Sequence, residues 1–221
     1  MKNIDTEENS DILIDFNKAK TIIYDNLKYL FIVVLVCAIV PILFRLEIHF
    51  FGKFNHEKSF IELAQLLCLL LTTFIFAKLA YMKADLRRAS ILIAAFFFVL
   101  FIRENDSILD AVFHGFWAYI AIPLSIIAII YAFRNFKKGI IELASYLNIP
   151  HMKLMIFSVI LLIVFSRLFG MRSFWELVMK ENFIYDVKAM IEEGIELLAY
   201  GLILCSAYLI YKYLMMKTRD L

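Results

Sequence analysis

The sequence predicts an all-α fold, a polytopic transmembrane bundle of about six spanning helices. Hydrophobic residues make up 63% of the 221 residues and the mean hydropathy is +0.79. A water-soluble core of this length cannot bury so much apolar surface. Apolar runs close to the roughly 20 residues that cross a bilayer recur along the chain, and the charged residues concentrate between them. A helical bundle embedded in a membrane accounts for both observations.

Six apolar runs define the predicted spans. They cover about residues 29–44, 60–82, 89–102, 109–133, 154–169 and 187–214. Residues 1–26 are polar, with apolar side chains spaced loosely as in an amphipathic helix, so we expect a cytoplasmic N-terminal segment on the membrane surface. We expect residues 27–217 to form the transmembrane domain and residues 218–221 to form a cytoplasmic tail.

The distribution of lysine and arginine predicts the orientation, because cytoplasmic loops collect these residues. The loops after the second and fourth spans and the C-terminal end are strongly basic. With six crossings these stretches share one side, so both termini are expected in the cytoplasm. A net charge of only +2 gives no sign of a nucleic-acid partner. Membrane lipids are therefore the expected partners.

Ionisable residues at membrane depth gather on the predicted outer side of the bundle. Such charges are costly to bury, so each is a candidate functional group. They open the second and sixth spans and join the third span to the fourth. The predicted binding residues are Glu62, Arg103, Asp106, Glu192 and Glu193.

Asp110 and His114 are four residues apart, which on a helix would place them on one face, with Asp106 a turn earlier. A carboxylate beside an imidazole can orient it for proton transfer, and the two groups can also ligate a divalent metal. Asp106 has the alternative role of capping the fourth span, where Asp110 would interact well with the helix dipole. For Arg103 and Glu104 the alternative is an ion pair that holds the third span.

The sixth span opens with three glutamates in the string MIEEGIELLAYG. Glu192 and Glu196 share a helical face, whereas Glu193 lies about 100° away. Like charges this close in a low dielectric need a cation, an arginine or a shared proton. Alternatively, Glu192 and Glu193 are solvated in the headgroup layer. Glu196 lies deeper, and it joins Asp110 and His114 as a predicted catalytic and metal-ligating residue.

Two strings, RENDSILDAVFHGFW and MRSFWELVMKENFIYDVKAMIEEGIELLAYG, resemble a group of six-span bacterial inner-membrane proteins that have no settled function. The chain is also loosely similar to the transmembrane hydrolases typified by alkaline ceramidases and by progestin and adipoQ receptors. Those hydrolases group acidic residues and three histidines around a zinc ion near one membrane face, whereas here His114 alone is placed with the carboxylates. The resemblance implies a divalent metal such as zinc as the cofactor.

The expected function is a metal-dependent hydrolase or transferase that acts on a lipid or envelope substrate in an outer polar cavity. In it, Asp110, His114 and Glu196 would hold the metal or activate water. A transporter of ions or small solutes is one alternative. A non-catalytic scaffold or accessory factor, in which the same residues form structural ion pairs, is the other.

Overall fold

A computed structural model describes residues 15–52 and 59–216, and every secondary-structure element within these ranges is helical. In chain order the α-helices are α1 (Phe16–Phe51), α2 (Phe60–Met82), α3 (Arg87–Glu104), α4 (Asp106–Leu109), α5 (Phe116–Phe133), α6 (Phe136–Leu147), α7 (Met152–Ile160), α8 (Arg167–Phe169), α9 (Arg172–Met179) and α10 (Tyr185–Met216). A π-helical segment, Leu161–Ser166, joins α7 to α8. The predicted all-α class is confirmed.

Within the part of the chain that the structure describes, five stretches are long and apolar enough to cross a membrane, as expected of a multi-pass membrane protein. They are Phe16–Phe51, Phe60–Met82, Phe116–Phe133, Met152–Phe169 and Tyr185–Met216. The third predicted span corresponds to α3, which has 18 residues with two charged residues at each end and is therefore not among the five. α3 nevertheless packs between α2 and α5.

α10 lies at the centre of the bundle, in contact with α1, α2, α7 and the π-helical segment. Small residues let it approach α1 closely, as is common between helices in bilayers. A Cβ atom on Gly201 would lie 2.7 Å from a methyl of Val36, and one on Gly194 would lie 3.3 Å from the Phe44 ring. Polar side chains on the first half of α10 are therefore carried into the protein interior.

Two predicted boundaries differ from the structure. α1 begins at Phe16 and has no break near residue 26, so the described part of the N-terminal segment is continuous with the first span. Residues 1–14 and 217–221 lie outside the described residues. The fourth span begins at Phe116, and not near residue 109, because residues 110–115 form a turn that ends at Gly115 with φ of +84°. Glycine adopts this left-handed conformation without strain.

The alternating direction of the helices gives the bundle two chemically different ends. α1, α3 and α8 finish at one end, where α2 and α10 begin, and we call this the acidic end. The basic end is the opposite one, where α2 finishes, α3 begins and the short helix α6 lies. The residues that give the basic end its charge include Lys83, Arg87, Arg88, Arg134, Lys137, Lys138 and Lys153.

Candidate functional site

A group of bonded polar side chains, which we call the charged network, lies at the acidic end. It is contributed by α2, α3, α10 and the stretch from the π-helical segment into α8. Its members are Gln65, Arg103, Glu104, Ser166, Arg167, Lys188, Glu192, Glu193, Glu196 and Tyr200.

Glu196 lies at the deepest point of the glutamate series on α10 and is only 5% exposed. The Ser166 hydroxyl donates to Glu196 Oε1 over 3.0 Å. The neighbouring Arg167 brings a guanidinium nitrogen to 3.9 Å from the same oxygen. Both partners sit where the π-helical segment meets α8, and π-helical turns inside α-helices are frequent at functional sites. Glu196 is thus a buried carboxylate with a cationic and a hydroxyl partner.

Glu192 lies one turn earlier on the same face of α10 and contacts two cations. Arg167 Nη1 is 3.8 Å from its Oε1, and Lys188, four residues before it, forms an ion pair with its other oxygen. A Cβ atom on Gly170 would lie 2.6 Å from the Glu192 carboxyl carbon. The absence of a side chain at Gly170 therefore makes room for this carboxylate.

Glu104, the last residue of α3, links that helix to α10. It forms an ion pair with Arg103 and accepts a hydrogen bond of 2.6 Å from the Tyr200 hydroxyl. On the α2 side, Gln65 donates to Glu193 Oε2 over 2.8 Å. The network therefore connects α2, α3 and α8 to the central helix.

The two arginines of the network are held on one side and open on the other. Side-chain exposure is 30% for Arg103 and 48% for Arg167, whereas that of Glu196 is 6%. Arg103 also lies within electrostatic range of Glu196. Planar guanidinium groups fixed in this way can still donate hydrogen bonds toward the exposed side, and they match phosphate and carboxylate groups well. The acidic end therefore presents two oriented cations at its surface.

Asp110 and His114 lie on the turn that leads from α3 into α5 at the same end. His114 Nδ1 is 3.3 Å from Asp110 Oδ2, and the imidazole is fully exposed. The second carboxylate oxygen of Asp110 is buried and has no hydrogen-bond partner among the described residues. The predicted pairing exists, but a turn produces it, since α4 ends at Leu109.

The three predicted metal ligands do not form one group among the described residues. Within residues 15–52 and 59–216 no group of three or more His, Cys, Asp or Glu side chains could hold a metal ion. Asp110 and His114 contact each other, but the fully exposed His114 does not reach Glu196, whose partners are Ser166 and Arg167. Residues 110–115 leave the helix and the imidazole is exposed, so the turn keeps His114 apart from Glu196.

The remaining predicted residues have separate positions. Asp106 is exposed at the first residue of α4 and makes no side-chain capping bond there, and the cap position of α5 is occupied by Gly115. Glu62 lies in the first turn of α2, where its backbone N–H donates to the Ser59 hydroxyl over 2.9 Å. Arg103, Glu192 and Glu193 belong to the charged network.

Sequence reasoning missed several bonded groups. Ser166, Lys188 and Tyr200 are ordinary helical residues in the sequence, and only the tertiary packing places them against the glutamates. Glu47, near the end of α1, is fully buried and accepts a bond of 3.4 Å from the Ile61 N–H. Its position soon after an apolar run was the sequence feature that could have identified it as a buried carboxylate.

Glu142, on α6 at the basic end, was missed as well. It is 2% exposed, and its Oε2 accepts bonds of 2.7 Å and 3.1 Å from the N–H groups of Arg88 and Ala89, which open α3. On the next turn, the Tyr146 hydroxyl is 2.6 Å from the Ser90 hydroxyl. Burial raises the pKa of Tyr146 to about 12, so its hydroxyl stays protonated at neutral pH. Glu142 and Tyr146 thus fasten α6 to the start of α3.

Comparisons with known proteins identify no relative. No family model, curated protein or solved structure matches the chain. The roles proposed below for residues of the acidic end therefore rest on their contacts and chemistry.

Proposed function

We propose that the chain is a hydrolase or transferase of the bacterial inner membrane, with both termini in the cytoplasm and the acidic end on the outer side. The concentration of lysine and arginine at the basic end supports this orientation, because cytoplasmic loops collect these residues. The substrate would be a lipid or envelope molecule that carries a phosphate group, and it would bind at the acidic end.

One observation carries the proposal. Arg103 and Arg167 are fixed from the buried side by glutamates yet stay partly exposed, at the same end of the bundle as Asp110 and the exposed His114. Two guanidinium groups suit the oxygens of a phosphate group. In this proposal Glu104, Glu192 and Glu196 position the arginines, and Glu196 has no direct contact with the reacting atoms.

The Asp110–His114 pair would supply the acid–base chemistry. With its Nδ1 proton donated to Asp110, His114 has Nε2 available as a general base. It would take a proton from water while the water oxygen bonds to phosphorus. The bond between phosphorus and the leaving oxygen then breaks, and that oxygen takes the proton from the imidazolium. For transfer, an acceptor hydroxyl would replace water.

The test is turnover by the purified protein in vesicles of phosphatidylethanolamine and phosphatidylglycerol, with lipids and water-soluble products identified by mass spectrometry. His114→Gln and Asp110→Asn should each lower the rate by about 100-fold or more, the usual contribution of general acid–base catalysis. His114→Gln should not lower the melting temperature in detergent, because the imidazole is fully exposed, and Asp110→Asn should not lower it because the change keeps the side chain's size.

The matched control is the Arg172–Glu176 pair on α9, another exposed ion pair with four-residue spacing at the acidic end. Arg172→Gln and Glu176→Gln should leave turnover unchanged. Equal product from the wild type and from His114→Gln, or no turnover of either lipid, would contradict the proposed catalysis.

A second candidate, a non-catalytic scaffold, is favoured by the way in which the charged network ties α2, α3 and α8 to α10. Buried polar contacts of this kind can serve only to fix how helices pack. For a scaffold, His114→Gln would change no cellular property. Substitutions within the network would instead reduce the amount of protein and any phenotype together.

A further inference from the structure

A cavity of about 640 Å³ opens at the basic end, far along the bundle from the charged network. Its walls are the connection from α2 to α3, the end of α6 and the end of α10. The polar lining residues are Lys83, Asp85, Ser145 and Asn148, and the apolar ones include Ile149 and Leu214. This volume lies in the range of small-molecule sites, about 300 to 1,000 Å³.

The lining carries one charge of each sign among neutral hydrogen-bonding groups. Lys83 directly follows α2, and Asp85 lies in the short 3₁₀ turn Ala84–Leu86. Ser145 on α6 adds a hydroxyl, and Asn148, directly after α6, adds an amide. The remaining surface is largely aliphatic. Such a lining suits a ligand with an anionic group, a cationic group and an apolar continuation.

The cavity lies at the level where lipid headgroups are available. α2 and α10 are both long enough to span a membrane, and both finish beside it. α6 is amphipathic: Ile140 and Ile141 are 44% and 64% exposed, whereas Glu142 and Tyr146 on the other face are buried. An amphipathic helix with its apolar face outward lies in the membrane interface.

We propose that this cavity binds the headgroup of phosphatidylethanolamine. The phosphate would lie on the Lys83 ammonium, and the ethanolamine ammonium would lie on the Asp85 carboxylate. Phosphatidylcholine has the same charges, but its trimethylated nitrogen cannot donate a hydrogen bond to Asp85. Phosphatidylglycerol has no cation for Asp85. The site is independent of the chemistry proposed for the acidic end.

The experiment titrates the full-length protein, purified in detergent, with phosphatidylethanolamine, phosphatidylcholine and phosphatidylglycerol that carry identical acyl chains. Native mass spectrometry counts the bound lipid, and soluble phosphoethanolamine is tested as a competitor. Phosphatidylethanolamine should bind about tenfold more tightly than either other lipid, as expected for one charge-assisted hydrogen bond. Phosphoethanolamine alone should compete weakly, because it lacks the apolar part.

Two variants separate the contacts. Asp85→Asn should abolish the preference for phosphatidylethanolamine over phosphatidylcholine, because the carboxylate that accepts the hydrogen bond is gone. Lys83→Gln should lower the affinity for both lipids by about tenfold, because both present a phosphate. Asp25→Asn and Lys153→Gln remove exposed charges that do not line the cavity and should change neither affinity. Melting temperatures of all four variants confirm that each is folded.

Equal binding of phosphatidylethanolamine and phosphatidylcholine by the wild type would overturn the proposal. So would an unchanged preference in Asp85→Asn, or equal losses in the control variants. Competition by phosphoethanolamine as strong as that by the lipid would assign the cavity to a soluble zwitterion and refute the lipid site.

Discussion

Replacing Glu104 by alanine should lower the free energy of unfolding by about 3 kcal/mol, the lower end of the cost of breaking a buried ion pair. The change leaves the Arg103 guanidinium and the Tyr200 hydroxyl without the carboxylate that both contact. The lower end applies because the Arg103 side chain is 30% exposed and water can reach part of it. Reversible unfolding in mixed detergent measures the change.

Two variants calibrate that result. Tyr200→Phe removes one hydrogen bond and should cost about 1 kcal/mol. Glu176→Ala breaks an ion pair whose partners are 70% and 46% exposed, and it should change stability by less than about 1 kcal/mol. If Glu104→Ala proved as stable as Glu176→Ala, the charged network would make no contribution to holding α3 against α10.

Replacing Glu142 by alanine should destabilise the protein by about 2 to 4 kcal/mol, since two backbone donors at the start of α3 lose their acceptor. These donors are the N–H groups of Arg88 and Ala89, and the carboxylate that they contact is 2% exposed. The loss should appear both in equilibrium unfolding and as faster amide hydrogen exchange in the first turn of α3 and in α6.

Glu142→Gln is the matched control, because its side-chain carbonyl keeps an acceptor in the same place. It should retain most of the stability. If glutamine and alanine destabilised the protein equally, the negative charge at the helix N-terminus would account for the effect, and the hydrogen bonds would not.

Much of the fold follows from the sequence because apolar runs define spans directly. The second span was predicted at residues 60–82, and α2 has these bounds. The start of the fourth span was wrong by several residues. Apart from Asp110, residues 108–113 are apolar, and the left-handed conformation of Gly115 marks where the helix starts. Local hydropathy contains no signal for such a turn.

The site was predictable in its residue types and only partly in its contacts. The three glutamates of α10 identify a buried charge cluster because a bilayer penalises them. Their partners Ser166 and Arg167 are brought into reach near the π-helical segment, which has no simple sequence pattern. The metal triad of Asp110, His114 and Glu196 stays a prediction: it assumed a continuous helix through His114, and the described residues have a turn there instead.

Photo-crosslinking can locate the phosphate-bearing headgroup that we propose to bind at the acidic end. The probe is phosphatidylglycerol with a diazirine in its headgroup, incorporated into vesicles with the full-length protein and mapped by peptide mass spectrometry. We expect adducts on residues 103–114 and 166–172, with a strong loss of labelling in the double variant Arg103→Gln/Arg167→Gln. Adducts spread evenly over both ends of the bundle, or labelling unchanged in the double variant, would contradict it.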